Sequence, residues 1–243
     1  MNRRKILRAS TALGAGSALA GVAPAAAAAA APGRPRTGPL RVQVVMFEGV
    51  EELDFAAPFE VLSASDFFTE REVDVRYVSV TGPATFRASH GTKVQVEHGW
   101  SPREADILVV PGGGYGRDTP GVGAEIQRGV LPRALAAARR GLTMAAVCTG
   151  TMLLSAAGLT RGRPCTTHHR TKADLEREGG VLKNARVVDD GDLVTAGGIT
   201  SGLELGLWLV RRELGADAAL GLEAMLEYEA RGTVWTRPGR TGR

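Results

Sequence analysis

The stretch that most constrains this chain is residues 143–154, Thr-Met-Ala-Ala-Val-Cys-Thr-Gly-Thr-Met-Leu-Leu. An apolar, β-capable run ends at Cys148, small residues follow, and an apolar helical segment then closes at Gly158. A side chain at such a strand-to-helix turn is lifted out of the sheet and sits beside the unpaired N–H groups of the helix. The positive end of the helix dipole there favours thiolate over thiol. Small neighbours at Ala146, Thr149 and Gly150 suit a sharp turn with close backbone approach. A free cysteine is more often a small buried hydrophobe. The position after a strand and before a helix favours a nucleophile instead.

The rest of the chain repeats the strand–helix alternation. Residues 40–47 are a mostly apolar strand of the buried kind, and 53–62 have helical spacing, with Pro58 best placed in a first turn. Residues 73–80 alternate as a second strand, and 84–88 with 93–97 read as a hairpin. Residues 105–110 form a buried strand entering the glycine run Gly112-Gly113-Gly114, whose bare backbone could approach a ligand. That run is neither a dinucleotide fingerprint nor a P-loop. A helix is expected over 127–140, a strand at 142–147, and a short strand at 165–168 that would aim His168 and His169 to opposite sides. Further on come a charged helix at 172–178, strands at 185–189 and 193–196, and a helix from Thr200 or Ser201 to Glu213. Asp217 would cap a last helix reaching about Ala230.

Alternation of this kind means a mostly parallel sheet covered by helices on both faces, a three-layer α/β sandwich. Sites in such folds gather beyond the carboxyl ends of strands. Asp54, Gly113, Cys148 and His168 all follow or end strands, which points to one shared site.

Composition narrows the function. The chain has 30 Lys/Arg against 26 Asp/Glu, but six of the bases and no acid lie in residues 1–37. The remaining body carries a slight net negative charge, which gives it no electrostatic reason to hold nucleic acid. Residues 1–37 read as a twin-arginine export signal and linker, with Arg3-Arg4-Lys5, a weakly apolar run and several Ala-x-Ala cleavage choices. The run is too short and too rich in Gly and Ala for a stable membrane span. The expectation is an exported protein, periplasmic or secreted, with an α/β domain over 38–232 and a flexible basic tail over 233–243. Of the two cysteines, Cys165 reads as a core residue. No metal-ligand spacing accompanies the four histidines, so neither metal nor cofactor is expected.

Residues 49–62 (G-V-E-E-L-D-F-A-A-P-F-E-V-L), 106–114 (D-I-L-V-V-P-G-G-G) and 146–162 (A-V-C-T-G-T-M-L-L-S-A-A-G-L-T-R-G) resemble the PfpI superfamily, within the class I glutamine amidotransferase-like fold. Residues 166–168 (T-T-H) and 193–202 (L-V-T-A-G-G-I-T-S-G) extend the match, which is nearest to the isonitrile hydratase branch. The resemblance implies a flavodoxin-like sheet and a homodimer acting on a small molecule without a cofactor. It implies Cys148 as the nucleophile at its elbow and Asp54 as the acid facing the sulfur. Gly113 and Thr149 would offer backbone N–H groups to developing charge, with Gly114 and His168 beside them at substrate-binding positions. His168 could equally be a structural strand residue, and Asp54 a helix-starting acid favoured by the dipole.

An ionised Asp54 would oppose thiolate formation, so the pair works best sharing one proton, with the acid donating to the thiolate. Thr149 replaces the histidine that follows the nucleophile in protease-like relatives, and the late loop at 197–202 lacks the amidotransferase histidine. Amide hydrolysis needs a proton donor for the leaving amine, and none is evident. Adding water to an isonitrile needs no such group. The alternatives are a non-catalytic ligand-binding or redox-sensing module, whose exposed low-pKa thiol would oxidise readily, and glyoxalase or deglycase chemistry on α-oxoaldehydes.

Overall fold

The computed structural model describes residues 38–138 and 141–238. The expected export signal at 1–37 and the last five residues of the tail lie outside them. In chain order the first half comprises β1 (Leu40–Val45), α1 (Glu52–Ala64), β2 (Val73–Ser79), β3 (Ala84–Arg87), β4 (Lys93–Val96), β5 (His98–Gly99) and β6 (Ile107–Val110). Helices α2 (Val122–Arg128) and α3 (Val130–Ala136) lead to β7 (Thr143–Val147), α4 (Gly150–Ala156), β8 (Pro164–Cys165), α5 (Lys172–Arg177) and β9 (Val181–Leu182). The chain finishes with β10 (Val187–Asp189), β11 (Leu193–Ala196), α6 (Ser201–Leu214), α7 (Ala216–Leu226) and β12 (Val234–Thr236).

The main sheet runs β12-β10-β11-β7-β6-β1-β2-β5. Every neighbouring pair in it is parallel except β10 with β11. Its centre, β2-β1-β6-β7-β11, has the doubly wound order of a flavodoxin-like fold. Strands β6, β7 and β11 are buried along their whole length, as mostly apolar strands covered on both faces are. Helix α1 packs on α6 and α6 on α7, while α2, α3 and α4 pack on one another. Strand order reverses between β1 and β6, so the ends of β1, β6 and β7 open onto one crevice, the usual place for a site in this architecture. No helix among the described residues is long and apolar enough to cross a membrane.

Several elements depart from expectation. The helix expected over 127–140 is two helices, because Gly129 at φ 67° adopts the left-handed cap that ends α2 and starts α3. Pro58 lies in the second turn of α1, not the first. It removes the N–H that would have bonded the Asp54 carbonyl. The turn after β8 leaves the sheet, so His168 and His169 are not on a strand. Their ring centroids lie 4.2 Å apart at 41°, where a 3-10 turn begins at His169. Helix α7 begins after Gly215 with Asp217 inside its first turn, and stops at Leu226. Part of the tail expected to be loose forms β12, paired parallel with β10. Arg237 just beyond it pairs with the buried Asp190, a contact Arg163 shares at 2.7 Å.

Candidate active site

Cys148 has φ 58°, a left-handed conformation that costs energy for a side chain other than glycine. The surroundings hold it there. Its N–H donates to the carbonyls of Gly197 (2.8 Å) and Ala196 (3.2 Å) at the end of β11. Its carbonyl accepts from Thr167 Oγ1 at 2.9 Å. Gly150, which begins α4, could not be any larger residue, since a Cβ there would lie 2.2 Å from the Val110 carbonyl oxygen. The turn is thus locked between β6 and β11, and the sulfur stands at the start of α4 beside the N–H groups of Thr149 and Ile199.

Asp54, on the first turn of α1, is fully buried. Its Oδ2 accepts the Gly112 N–H at 3.1 Å. Its Oδ1 is buried with no hydrogen bond of good geometry. The Cys148 thiol is the side-chain neighbour of this carboxyl, in loose hydrogen-bonding contact. Burial pushes the Asp54 carboxyl up to about 7, opposed by the thiol contact and the Gly112 N–H and reinforced by the charge of Glu51. Burial likewise pushes the Cys148 thiol up to about 12, with the Asp54 charge adding to the rise against the two backbone N–H groups. Over the range between those values the pair holds one proton, shared by carboxyl and sulfur. Desolvation disfavours charge on either group and outweighs the helix-end N–H groups.

The expected oxyanion donors divide. The Thr149 N–H faces the sulfur as expected. The Gly113 N–H does not serve that purpose: it donates to Thr149 Oγ1 at 2.9 Å, and the same hydroxyl donates back to the Gly113 carbonyl at 2.7 Å. Its place beside the sulfur is taken by the N–H of Ile199. Gly114 holds the start of α2, its carbonyl accepting the Gly123 N–H at 3.1 Å. His168 stands behind the 197–199 turn with its ring against Gly198, where a Cβ would come within 2.4 Å of Cδ2. Burial and the neighbouring His169 and Arg170 lower its pKa. No hydrogen bond among the described residues joins His168 to Cys148 or Asp54.

Sequence reasoning named Gly112 in the glycine run but not its bond to Asp54, and it missed Ile199 and Glu51. The Gly-Gly turn before α6 was the available signal for Ile199, since a turn entering a helix leaves N–H groups free. One described cluster brings three potential metal-ligand atoms within 4.8 Å of one another, Glu51, Glu52 and His90. Glu52 is already committed to the N–H groups of His90 (2.9 Å) and Thr92 (3.3 Å).

A nucleophile and an acid that share one proton can add a thiol across an unsaturated carbon and return the proton to it. Residues 40–212 match the model of the DJ-1/PfpI family. The chain is 32% identical over 192 residues to an isonitrile hydratase of Pseudomonas putida, covering 78% of each chain. It is 23% identical over 186 residues to a glutathione-independent glyoxalase of Schizosaccharomyces pombe, covering 72% of this chain and 93% of that one. Among solved structures, a family protein from Pseudomonas syringae superposes with a TM-score of 0.70 at 23% identity, covering 85% of this chain and 80% of the other.

Proposed function

The chain belongs to the DJ-1/PfpI family, and from that premise we propose that it is a cofactor-free, cysteine-dependent hydratase converting an isonitrile and water to an N-substituted formamide. The observation that carries this reading is the contact between the Cys148 thiol and the buried Asp54 carboxyl.

With one proton shared by the pair, Asp54 acts first as a base toward the thiol. As sulfur bonds to the terminal isonitrile carbon, the thiol proton passes to Asp54 and from there to that carbon, giving a thioimidate. Water then adds to the same carbon: Asp54 takes one of its protons and passes it to nitrogen. The carbon–sulfur bond breaks as the hydroxyl proton returns through Asp54 to sulfur, releasing the formamide and restoring the thiol. The N–H groups of Thr149 and Ile199 hold the negative charge that develops on sulfur at both ends of the cycle. Cys148 is only 5% exposed, which suits a slender terminal carbon better than a planar, substituted amide. The likeness to the Pseudomonas putida hydratase points the same way. Incubating the purified protein with an alkyl isonitrile and measuring formamide by mass spectrometry tests the reaction. No product from several isonitriles of different bulk overturns it.

The same one-proton pair suits addition to an α-oxoaldehyde, and the likeness to the fission-yeast glyoxalase favours that as the second reading. Lactate production from methylglyoxal decides between the two. Burial pushes the Cys148 thiol up and so disfavours the thiolate that peroxide attacks, and mass spectrometry after mild peroxide tests the redox-sensing reading. Export through the twin-arginine signal and a homodimeric state belong to the proposal as well. N-terminal sequencing of exported protein and sedimentation of the pure protein are their tests.

A further inference from the structure

The turn at residues 197–200 supplies one of the two backbone N–H groups that face the sulfur, that of Ile199. Its first two residues are glycines, whose backbone can take many conformations, so its neighbours decide where it sits. Both ends of the turn are tied to one residue on the approach to β10. At the first end the Arg186 carbonyl accepts the Gly197 N–H at 2.9 Å, and the Gly197 carbonyl in turn accepts the Cys148 N–H at 2.8 Å. At the other end Arg186 Nη2 donates to Thr200 Oγ1 at 2.9 Å. Gly198 and Ile199 span the interval between these two anchors.

Arg186 is itself held in place. Its N–H donates to the Thr233 carbonyl at 3.1 Å, and its stem lies against Gly232, where a Cβ would come within 2.6 Å of Cδ. Its Nη2 also donates to Glu204 Oε2 at 2.9 Å. Glu204 lies in the first turn of α6, is buried, and accepts the Tyr228 hydroxyl on its Oε1 at 2.6 Å. A buried carboxylate keeps its guanidinium partner close, because leaving either charge alone is costly. The same guanidinium therefore ties the turn to the helix it enters. We propose that Arg186 is a positioning residue: by holding Gly197 and Thr200 it keeps the Ile199 N–H on the Cys148 sulfur, and so governs how readily the nucleophile carries negative charge. No hydrogen bond among the described residues joins Arg186 to Cys148 or Asp54, so it acts through the turn alone. The role rests on the reading of Cys148 as the nucleophile.

Arg186→Ala would strand the Glu204 carboxylate, so two gentler variants make the test. Thr200→Val removes the hydroxyl that Arg186 holds, and Thr200 makes no side-chain cap bond to α6 that would be lost with it. Arg186→Lys keeps a positive charge for Glu204 but lacks the planar fork that reaches Thr200 as well. The readout is the rate at which iodoacetamide alkylates Cys148 at a fixed alkaline pH, followed by peptide mass spectrometry. Each variant should react roughly tenfold more slowly, the worth of one hydrogen bond to a charged sulfur. The bulkier N-ethylmaleimide should slow by the same factor, which marks a smaller thiolate population and not altered access. Thr200→Ser keeps the hydroxyl and should react close to the wild-type rate. A rate unchanged or raised in either of the first two variants, a fall confined to one reagent, or Thr200→Ser as slow as Thr200→Val overturns the proposal. Alkylation involves no isonitrile, so failure here leaves the hydratase reading standing, and absence of formamide leaves this proposal standing.

Discussion

The Gly112 N–H donates to Asp54 Oδ2 at 3.1 Å, and a Cβ on Gly112 would lie 2.6 Å from that same oxygen. The acid is thus fixed by a backbone group that only a residue without a side chain can bring so close. A Cβ there would also stand 2.8 Å from the Thr149 N. Gly112→Ala should therefore push the carboxyl and the nucleophile turn apart. The expected loss of stability is about 1–3 kcal/mol, as for overpacking elsewhere, with turnover falling further than stability alone explains. Chemical denaturation and steady-state kinetics on the same sample separate the two effects.

Cys148→Ala should abolish formamide formation, a drop on the order of a thousandfold or more. It should leave the melting temperature nearly unchanged, because the turn is held by its backbone bonds to Gly197 and Thr167 and not by sulfur. Product assay and thermal melting check both halves.

Asp54 makes the protein's stability fall as pH rises. Its carboxyl moves from 3.8 when unfolded to about 7 when folded. Across that window the unfolded chain has lost the proton while the native one keeps it, so the native state is progressively disfavoured. Asp54→Asn removes the ionisation, and should raise stability at pH 8 by more than at pH 4. Guanidinium unfolding at the two pH values measures the difference. The same substitution should cost about a hundredfold or more in turnover, the usual worth of a positioned acid–base group.

The active form of the pair carries one proton. In the wild type kcat/KM should accordingly rise as pH passes through about 7 and stay level to the alkaline limit of the fold, since Cys148 loses its own proton only near 12. A rate that instead falls through pH 7 would mean that the doubly protonated pair is the reactive one.

Thr149 clamps Gly113 through both of its backbone groups. Thr149→Val should lose both bonds, costing about 1–3 kcal/mol for buried groups left unpaired, whereas Thr149→Ser should retain most of the stability. Urea midpoints of the two variants test the contrast.

Ending the chain at Gly232 deletes β12 and takes Arg237 from the buried Asp190, leaving Arg163 to balance it. The truncated protein should melt lower, by roughly 2–4 °C for each kcal/mol lost. Scanning calorimetry gives the figure.

The turn at Cys148 and the mostly parallel sheet were legible in the pattern of the chain, whereas Asp54 was picked out by the family resemblance. An apolar run bounded by small residues specifies a buried strand and its turn, and the order of strands and helices leaves few ways to wind a parallel sheet. The break at Gly129 was also within reach of local reasoning, since glycine inside a helical pattern is a stop signal. What only the tertiary structure decided is which backbone group meets which side chain. Asp54 and Gly112 are 58 residues apart, and Gly113 and Thr149 are 36 apart. No spacing rule says that the Thr149 hydroxyl would occupy the Gly113 N–H, that Ile199 would replace it at the sulfur, or that the His168 ring would lie against Gly198. Nor could sequence tell how far either group is pushed from its ordinary pKa. That depends on how much water the folded chain removes from around a carboxyl and a thiol, and burial is a property of the packed molecule, not of either residue.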